Sequence, residues 1–245
     1  MITSISVVIP VKDDASLLLR CLEALHPQLA DVDELFVVDN GSTDESAAVA
    51  RQFGATVIEV SGGGIPAASA AGYDVASGSV IARLDADCVP GADWLTVIRR
   101  EFTARPSVAA VTGMARFIDG PRPLRGILAA LYLGSYFATL YPALSRPPIF
   151  GSNCAFRHSV WQEVRGAVHR HDPRVHDDLD LSFHLAPLHR VRFSRRLTMG
   201  MSMRPLFRGA AFAVRLRRGM YTVVIHWPDD WPWLRWSRRV VSILR

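Results

Sequence analysis

Apolar runs rich in β-branched residues alternate with helical apolar patterns along the first half of the chain. Such runs predict strands buried on both faces of a parallel sheet. Leu18, Leu22, Leu25 and Leu29 recur at helical spacing, and Ser42–Glu45 has the sequence of a capping box that would begin a second helix. The predicted strands are 5–10, 35–38, 55–60, 79–84 and 108–112, and the predicted helices are 13–29, 42–53, 67–76 and 91–104.

Repeated strand–helix units predict an α/β fold with a doubly wound, mostly parallel sheet flanked by helices. Sheets of this kind bind ligands at the carboxyl ends of their strands. Four loops follow the first four predicted strands, at 10–14, 39–42, 61–66 and 85–87, and all but the third contain acidic residues. We therefore expect the functional site at this edge.

The pattern is less regular beyond residue 120, where 124–144 is predicted to be helical and 149–157 to be a loop entering a strand or helix. The apolar stretch Ile127–Tyr141 is only about 15 residues long, whereas a membrane-spanning helix needs ~20. This length favours a core helix. We expect a donor-side half (1–115), an acceptor-side half of the same domain (116–203) and a basic C-terminal segment (204–245).

Composition supports a folded protein, since 49% of the 245 residues are hydrophobic and 21% are charged. The charge is divided unevenly, because residues 190–245 hold 13 Arg and 2 Asp, a net of +11, whereas the remainder carries −6. Cys21, Cys88 and Cys154 are widely spaced and resemble buried thiols of a cytoplasmic protein. No signal peptide precedes the first predicted strand.

Asp85-Ala86-Asp87 is the strongest candidate for chemistry, because two carboxylates at a strand end can share a hard divalent cation. The alternative is a turn in which Asp is a capping residue. Asp39 follows the second strand and could accept a hydrogen bond from a nucleobase. Gly62–Gly64 fits neither the dinucleotide motif nor the P-loop, which argues against nicotinamide enzymes and P-loop ATPases.

A second acidic cluster, Asp177-Asp178-Leu179-Asp180, contains a candidate general base, although acids at a helix start also stabilise its dipole. Six of the eight histidines lie around it, between His158 and His189. No pair has the usual zinc-ligand spacing with further ligands nearby, so solvated or capping histidines are expected.

Together these segments resemble the family 2 glycosyltransferases, which have the GT-A fold, over about residues 5–200. The resemblance rests on five stretches: Ser6–Pro10 with acids at 13–14, Val38–Asp44, Leu84–Asp87 through Trp94-Leu95, Gly151–Arg157 and Asp177–Leu181. It implies inverting transfer of a sugar from a nucleotide-diphosphate donor to an acceptor hydroxyl, with Mg²⁺ or Mn²⁺ on the diphosphate.

The resemblance also implies roles for individual residues. Asp87, with Asp85, would hold the metal, and Asp178 would be the general base. The donor-binding residues would be Pro10, Val11, Asp14, Asp39, Ser69, Asp85, Ala86 and Asp87. The acceptor-binding residues would be Trp94, Gly151, Ser152, Asn153, Arg157 and Asp177.

Three positions depart from the family pattern: Ser69 replaces an Arg that helps to hold the donor, Lys12 replaces an aromatic residue, and Asp177 replaces Glu. The motif of processive synthases, Gln-x-x-Arg-Trp, is absent, which favours a single-addition enzyme. Two alternatives stay open. One is a catalytically silent, membrane-associated scaffold, and the other is a sugar nucleotidyltransferase, whose Gly-rich signature residues 10–14 lack.

Four of the six tryptophans lie in 227–236, beside Arg238 and Arg239. Tryptophan and arginine are typical of anionic membrane interfaces, so this end either contacts the inner face of the cell membrane or packs on the catalytic domain. The first alternative suits a lipid-linked or cell-envelope glycan acceptor. Nucleic acid is not an expected partner, because the acidic body would repel a duplex.

Overall fold

The computed structural model describes residues 3–186, 189–204, 209–227 and 230–244. The strands in these ranges are β1 (Ile5–Val11), β2 (Glu34–Asp39), β3 (Thr56–Glu59), β4 (Val80–Arg83), β5 (Val89–Pro90), β6 (Val108–Phe117), β7 (Cys154–Arg157) and β8 (Arg190–Met201). The helices are α1 (Ala15–Leu25), α2 (Ser46–Gln52), α3 (Gly64–Val75), α4 (Trp94–Ala104), α5 (Arg125–Leu144), α6 (His158–Val164), α7 (Asp177–Leu185), α8 (Gly209–His226) and α9 (Pro232–Leu244).

The strands form one sheet in the order β3-β2-β1-β4-β7-β6-β8-β5. The four strands β1 to β4 are parallel, whereas β7 runs antiparallel to both β4 and β6. The carboxyl ends of β1, β2 and β4 therefore share one edge of the sheet, and β7 begins at that same edge. This confirms the predicted doubly wound, mostly parallel sheet flanked by helices.

Each face of the sheet has its own hydrophobic core. One core joins the sheet to α1, α4 and α5 through buried residues that include Leu18, Leu22, Trp94, Ile98 and Leu133. The other joins it to α3, α6 and α7 through Ala68, Tyr73, Trp161, Leu181 and Leu185. The helical repeat of leucines in α1 therefore corresponds to its buried face, as the sequence predicts.

Helix α3 lies unusually close to the sheet at Gly72. A Cβ atom there would be 2.4 Å from Cγ1 of Val8 and 2.9 Å from Cγ2 of Val38. Because both contacts involve strand side chains in a packed core, a larger residue would push α3 away from β1 and β2. The small residues of α3 thus fix its distance from the sheet.

Two local predictions are wrong. The capping box fails because α2 begins at Ser46, whose N–H donates to Asp44 Oδ1 at 3.0 Å, while Ser42 Oγ accepts from the N–H of Asp13 instead. Strand β6 extends five residues past the predicted end, because β8 pairs with it as far as Phe117. The sheet therefore continues across the expected boundary at residue 115.

Helix α5 is longer than its apolar run. The segment Arg122–Leu144 is long and apolar enough to cross a membrane by length and composition, and 22% of its most apolar window is buried. Ala129 and Leu133 pack into the core of the sheet, while Ile127 and Leu131 are exposed. The expected core helix is thus buried on one side only.

The described part of the C-terminal segment packs against the rest of the protein. The Arg235 guanidinium is buried and donates to the Phe183 carbonyl at 2.8 Å, and Trp236 Nε1 donates to the Pro142 carbonyl at 2.8 Å. The α9 helix nevertheless exposes Trp233 and Val240. Residues 205–208 of the expected basic stretch lie outside the described residues.

Candidate active site

Acidic side chains lie along the sheet edge where β1, β2 and β4 end. Asp39 is buried at the end of β2, in register with Val11 at the end of β1, and its Oδ1 accepts the N–H of Ser42 at 2.8 Å. Pro10 and Val11 lie beside it, and Asp14 is four residues past Pro10. This grouping of strand ends is the one that the sequence predicts, although the donor-binding role of each residue stays a prediction.

Asp85 and Asp87 follow β4, and their oxygen atoms lie within 4.8 Å of one another and of the Cys88 sulfur. Burial, and then the charge of Asp85, raise the pKa of Asp87 above its ordinary value. Burial also raises the pKa of the Cys88 thiol, so the two carboxylates are the ligands available to a hard cation. Ala86, between them, is buried.

Arg204 places a positive charge among these acids. Its guanidinium donates to both carboxylate oxygens of Asp14, at 2.9 and 3.2 Å, and to Asp87 Oδ2 at 3.0 Å. These hydrogen bonds, led by the one to Asp14, raise the pKa of Arg204. The sequence places Arg204 at the start of the basic C-terminal segment, and the structure brings it into contact with the acids that follow β1 and β4.

Arg83 connects the two acidic motifs. It is buried in β4 and donates to Asp85 Oδ1 at 3.1 Å and to Asp177 Oδ2 at 2.5 Å. Asp177 Oδ2 also accepts the Ser69 hydroxyl of α3 at 3.0 Å, so Ser69 contacts the second acidic motif. Sequence reasoning missed Arg83, and the available signal was a charged residue within an otherwise apolar strand.

Asp178 lies at the start of α7 and is only 6% exposed. Its Oδ2 accepts the N–H of Gly151 at 2.8 Å, and its Oδ1 forms an ion pair with His176. Burial opposes ionisation of Asp178, but the charge and hydrogen bond of His176 outweigh it and lower the pKa to about 2. Burial likewise opposes the charged form of His176, and Asp178 outweighs it and raises that pKa. Sequence reasoning missed His176.

Gly151 allows the two acidic motifs to approach each other. A Cβ atom at this position would be 2.7 Å from an Arg83 nitrogen and 2.9 Å from Asp178 Oδ2. The next residue, Ser152, donates its hydroxyl to Asp85 Oδ2 at 2.5 Å. The turn Gly151–Asn153 therefore lies between the metal-binding candidates and the candidate base.

Three predicted acceptor residues face away from this site. Trp94 is buried and donates its Nε1 to Asn153 Oδ1 at 2.8 Å, and the Asn153 amide donates to the Leu197 carbonyl at 3.0 Å. Arg157 ends β7 in register with Val80, the first residue of β4. Because β7 is antiparallel, Arg157 lies at the opposite edge of the sheet, where it donates to backbone carbonyls. The contacts seen for these three side chains are with the protein itself, and their acceptor-binding role stays a prediction.

Replacement of His176 by Gln tests the electrostatics of Asp178. Without the imidazolium charge the pKa of Asp178 rises. We therefore expect kcat/KM of the variant to fall as the pH is lowered from about 7 to 4, a range in which Asp178 of the wild type stays ionised. Because the pKa of His176 is raised in the folded protein, its ion pair with Asp178 contributes fully to the free energy of unfolding below about pH 6.5, the unperturbed pKa of His. This contribution is lost as the pH rises through the raised pKa. His158→Gln, a control at a half-buried histidine on α6, should leave the profile unchanged. Identical acid limbs in wild type and His176→Gln would contradict this account.

Solved structures of similar architecture include glycosyltransferases. Mannosyltransferase PcManGT from Pyrobaculum calidifontis, in complex with GDP-Man and Mn²⁺, has a TM-score of 0.65 at 21% identity over 92% of this chain and 63% of that one. Glucosyl-3-phosphoglycerate synthase from Mycobacterium tuberculosis, in complex with Mn²⁺, UDP and phosphoglyceric acid, has a TM-score of 0.62 at 19% identity over 91% and 78%. The fold is therefore that of the GT-A glycosyltransferases.

The family follows from the sequence match. The model of glycosyl transferase family 2 matches residues 6–165, and the chain belongs to that family. Glycosyltransferase AglE of Haloferax volcanii is 38% identical over 99 residues, which cover 37% of this chain and 33% of that protein. The chain thus matches about a third of the length of this curated relative. Asp178 lies beyond the matched residues.

Proposed function

We propose that the protein transfers a sugar from a nucleoside-diphosphate donor to an acceptor hydroxyl, with inversion and by single additions. The observation that supports this proposal is the Arg83 bridge. It holds Asp85, on the donor side, and Asp177, beside the candidate base, on one guanidinium group. This shared contact would fix the positions of the donor and acceptor groups relative to each other.

The donor side would use the acids at the carboxyl ends of β1, β2 and β4. Asp39 would accept the imide hydrogen of the base, with Pro10, Val11 and Asp14 beside it, and Asp85 would approach the ribose. Ser69 and Ala86 would border the donor from α3 and from the loop after β4. In the related structures the donors are GDP-Man and UDP derivatives, which agrees with a nucleoside-diphosphate leaving group.

Asp87 and Asp85 fit a divalent cation on physical grounds. Burial, and then the charge of Asp85, raise the pKa of Asp87, and the Arg204 guanidinium already contacts Asp87. Bound Mg²⁺ or Mn²⁺ would offset negative charge on the diphosphate. Arg204 would then exchange its contact with Asp87 for a diphosphate oxygen or leave the site.

Asp178 would act on the acceptor side. The acceptor oxygen forms a new bond to the anomeric carbon, the anomeric C–O bond breaks with its electron pair going to the diphosphate, and Asp178 takes the hydroxyl proton. His176 keeps Asp178 ionised, while Gly151 and Ser152 set its distance from Asp85. Attack opposite the leaving group inverts the anomeric centre.

A nucleotide-binding panel tests the donor site. UDP, GDP, dTDP and CDP are added with and without Mn²⁺, and thermal unfolding is measured. We expect at least one nucleotide to raise the Tm only with Mn²⁺, because a ligand that binds the folded state alone stabilises it. Asp87→Asn should lose this shift, and Asp31→Asn, an exposed control, should keep it. No metal-dependent shift with any nucleotide would favour the silent scaffold.

We further infer that the acceptor is lipid-linked or part of an envelope glycan, and that the protein works at the cytoplasmic face of the membrane. Helices α5, α8 and α9 all expose large apolar side chains: Ile127 and Leu131, Leu216 and Met220, and Trp233 and Val240. Exposed arginines, including Arg215, Arg217 and Arg238, accompany them. Apolar and tryptophan side chains beside arginine suit an anionic bilayer surface.

Vesicle binding tests this surface. We expect wild-type protein to sediment with anionic vesicles and a smaller fraction of it to sediment at high salt. It should not sediment with zwitterionic vesicles. The double variant Trp233→Ser with Val240→Asp should bind about tenfold more weakly or worse, because each burial is worth about 1.5–3 kcal/mol. Val32→Asp is the matched control, since Val32 is 51% and Val240 52% exposed. Equal binding by wild type and the double variant would refute this part of the proposal.

A further inference from the structure

Three histidine side chains lie around one buried aspartate, Asp180, which shares the first turn of α7 with Asp177 and Asp178. His169 comes from the loop after α6, His184 from α7 and His226 from the end of α8, and all three surround Asp180 in the first turn of α7. One potential ligand atom from each residue lies within 4.8 Å of all the others. The side chain of Asp180 is 3% exposed and that of His226 is 9% exposed.

The hydrogen bond of His226 fixes where its lone pair points. Its Nδ1 lies 2.7 Å from the Thr222 carbonyl oxygen, and because a carbonyl only accepts, this nitrogen carries the proton. In the neutral ring Nε2 is then unprotonated. It faces Asp180 Oδ1 at 3.2 Å and His184 Nε2 at 3.4 Å. With both rings in this tautomer-dependent contact, either a proton or a metal cation must lie among the three atoms to offset their repulsion.

The spacing of these atoms is that of a tetrahedral metal site. Zinc–nitrogen bonds of about 2.0–2.1 Å place neighbouring ligand atoms roughly 3.3–3.4 Å apart. The three distances among Asp180 Oδ1, His184 Nε2 and His226 Nε2 are 3.2, 3.4 and 3.6 Å. His169 Nδ1 lies at hydrogen-bond distance, 2.7 Å, from Asp180 Oδ1, so this half-exposed ring would have to turn to supply the fourth ligand.

Hydrogen bonds behind the ligands hold them in place, as they do in metal sites. The Thr222 carbonyl orients the ring of His226. The backbone N–H of His169 donates to Asp180 Oδ2 at 2.8 Å, which leaves Asp180 Oδ1 as the oxygen that faces the histidine rings. The Phe183 ring stacks on His226 with centroids 4.4 Å apart. Three imidazoles and one carboxylate favour a borderline ion such as Zn²⁺ over the hard cations Mg²⁺ and Mn²⁺.

We propose that His169, Asp180, His184 and His226 bind one structural zinc ion, separate from the candidate donor-site metal. The ion would join the end of α8 to α7 and to the loop after α6. Because the first turn of α7 carries Asp177 and Asp178, this link would hold the candidate base against the C-terminal segment. Sequence spacing predicted no zinc site, since His226 is 42 residues from His184 and only the fold brings them together.

Metal analysis of the full chain tests the site without an activity assay. The protein is purified without a polyhistidine tag, desalted and analysed by inductively coupled plasma mass spectrometry. We expect about one zinc per chain in the wild type, and at least a tenfold loss in His226→Ala and His184→Ala. His158→Ala, a half-buried histidine on α6 away from the cluster, and Asp87→Asn, at the other candidate site, should both retain it.

Thermal unfolding separates loss of metal from loss of fold. A strong chelator should lower the wild-type Tm and added Zn²⁺ should restore it, whereas His226→Ala should respond to neither. If His226→Ala does not fold, His169→Ala serves instead, since its side chain is 42% exposed. Wild-type protein without zinc, and without a Tm response to Zn²⁺, would overturn the proposal.

Discussion

Asp178→Asn is expected to lower kcat by about 10²–10⁴-fold, the usual contribution of a positioned general base. Asparagine keeps the carbonyl that accepts the Gly151 N–H but cannot take the acceptor proton. The fold should survive, and KM for the donor should change little, because Asp85 and Asp87 are untouched. The measurement is initial rates of sugar transfer at saturating donor, with circular dichroism as the check on folding.

Asp172→Asn is the control, because Asp172 precedes α7 and pairs with Arg174 at the surface. It should retain nearly the whole wild-type rate. Wild-type turnover in Asp178→Asn would remove the residue from the mechanism, whereas a loss confined to KM would make it a binding residue.

Arg83→Met is expected to reduce the free energy of unfolding by about 3–5 kcal/mol, since it leaves the partly buried carboxylates of Asp85 and Asp177 without their shared cation. Donor binding should weaken too, because the carboxylates are then free to move apart. Urea unfolding at neutral pH measures the first effect. Arg83→Lys should recover only part of the stability, since an ammonium group cannot reproduce the planar contact to two carboxylates.

Arg51→Met is the matched control. Arg51 pairs with Glu59 at 3.4 Å, but both side chains are more than half exposed, and such pairs contribute less than about 1 kcal/mol. If Arg83→Met lowers the free energy of unfolding no more than Arg51→Met does, the ion pairs of Arg83 with the two acidic motifs do not stabilise the site.

The sequence predicts the parallel half of the molecule well because that half follows local rules. Apolar runs identify strands, the strands pair in parallel, and acids after strands must meet at one edge, which is where Asp39 and Asp85 lie. The helix beginnings were harder, since the hydroxyl of Ser42 contacts Asp13, across a loop, rather than its own helix.

The second half depends on strand directions that no local pattern reveals. Gly151 and Arg157 belong to one stretch of the sequence, yet the antiparallel course of β7 carries Arg157 to the far edge while Gly151 stays at the site. Arg204 and His226 reach their partners only through the packing of the C-terminal segment. Both lie in the segment 204–245, which was assigned from composition, and composition reports charge but not position.

The central claim is that Asp87 and Asp178 serve one inverting transfer reaction. The most direct test is the transfer of labelled sugar from a panel of nucleotide sugars to extracted membrane lipids with Mn²⁺, followed by the anomeric configuration of the product. The account predicts that one donor yields a product of inverted configuration and that Asp87→Asn and Asp178→Asn each abolish it. Retained configuration, transfer that survives both substitutions, or no product from any donor would contradict it.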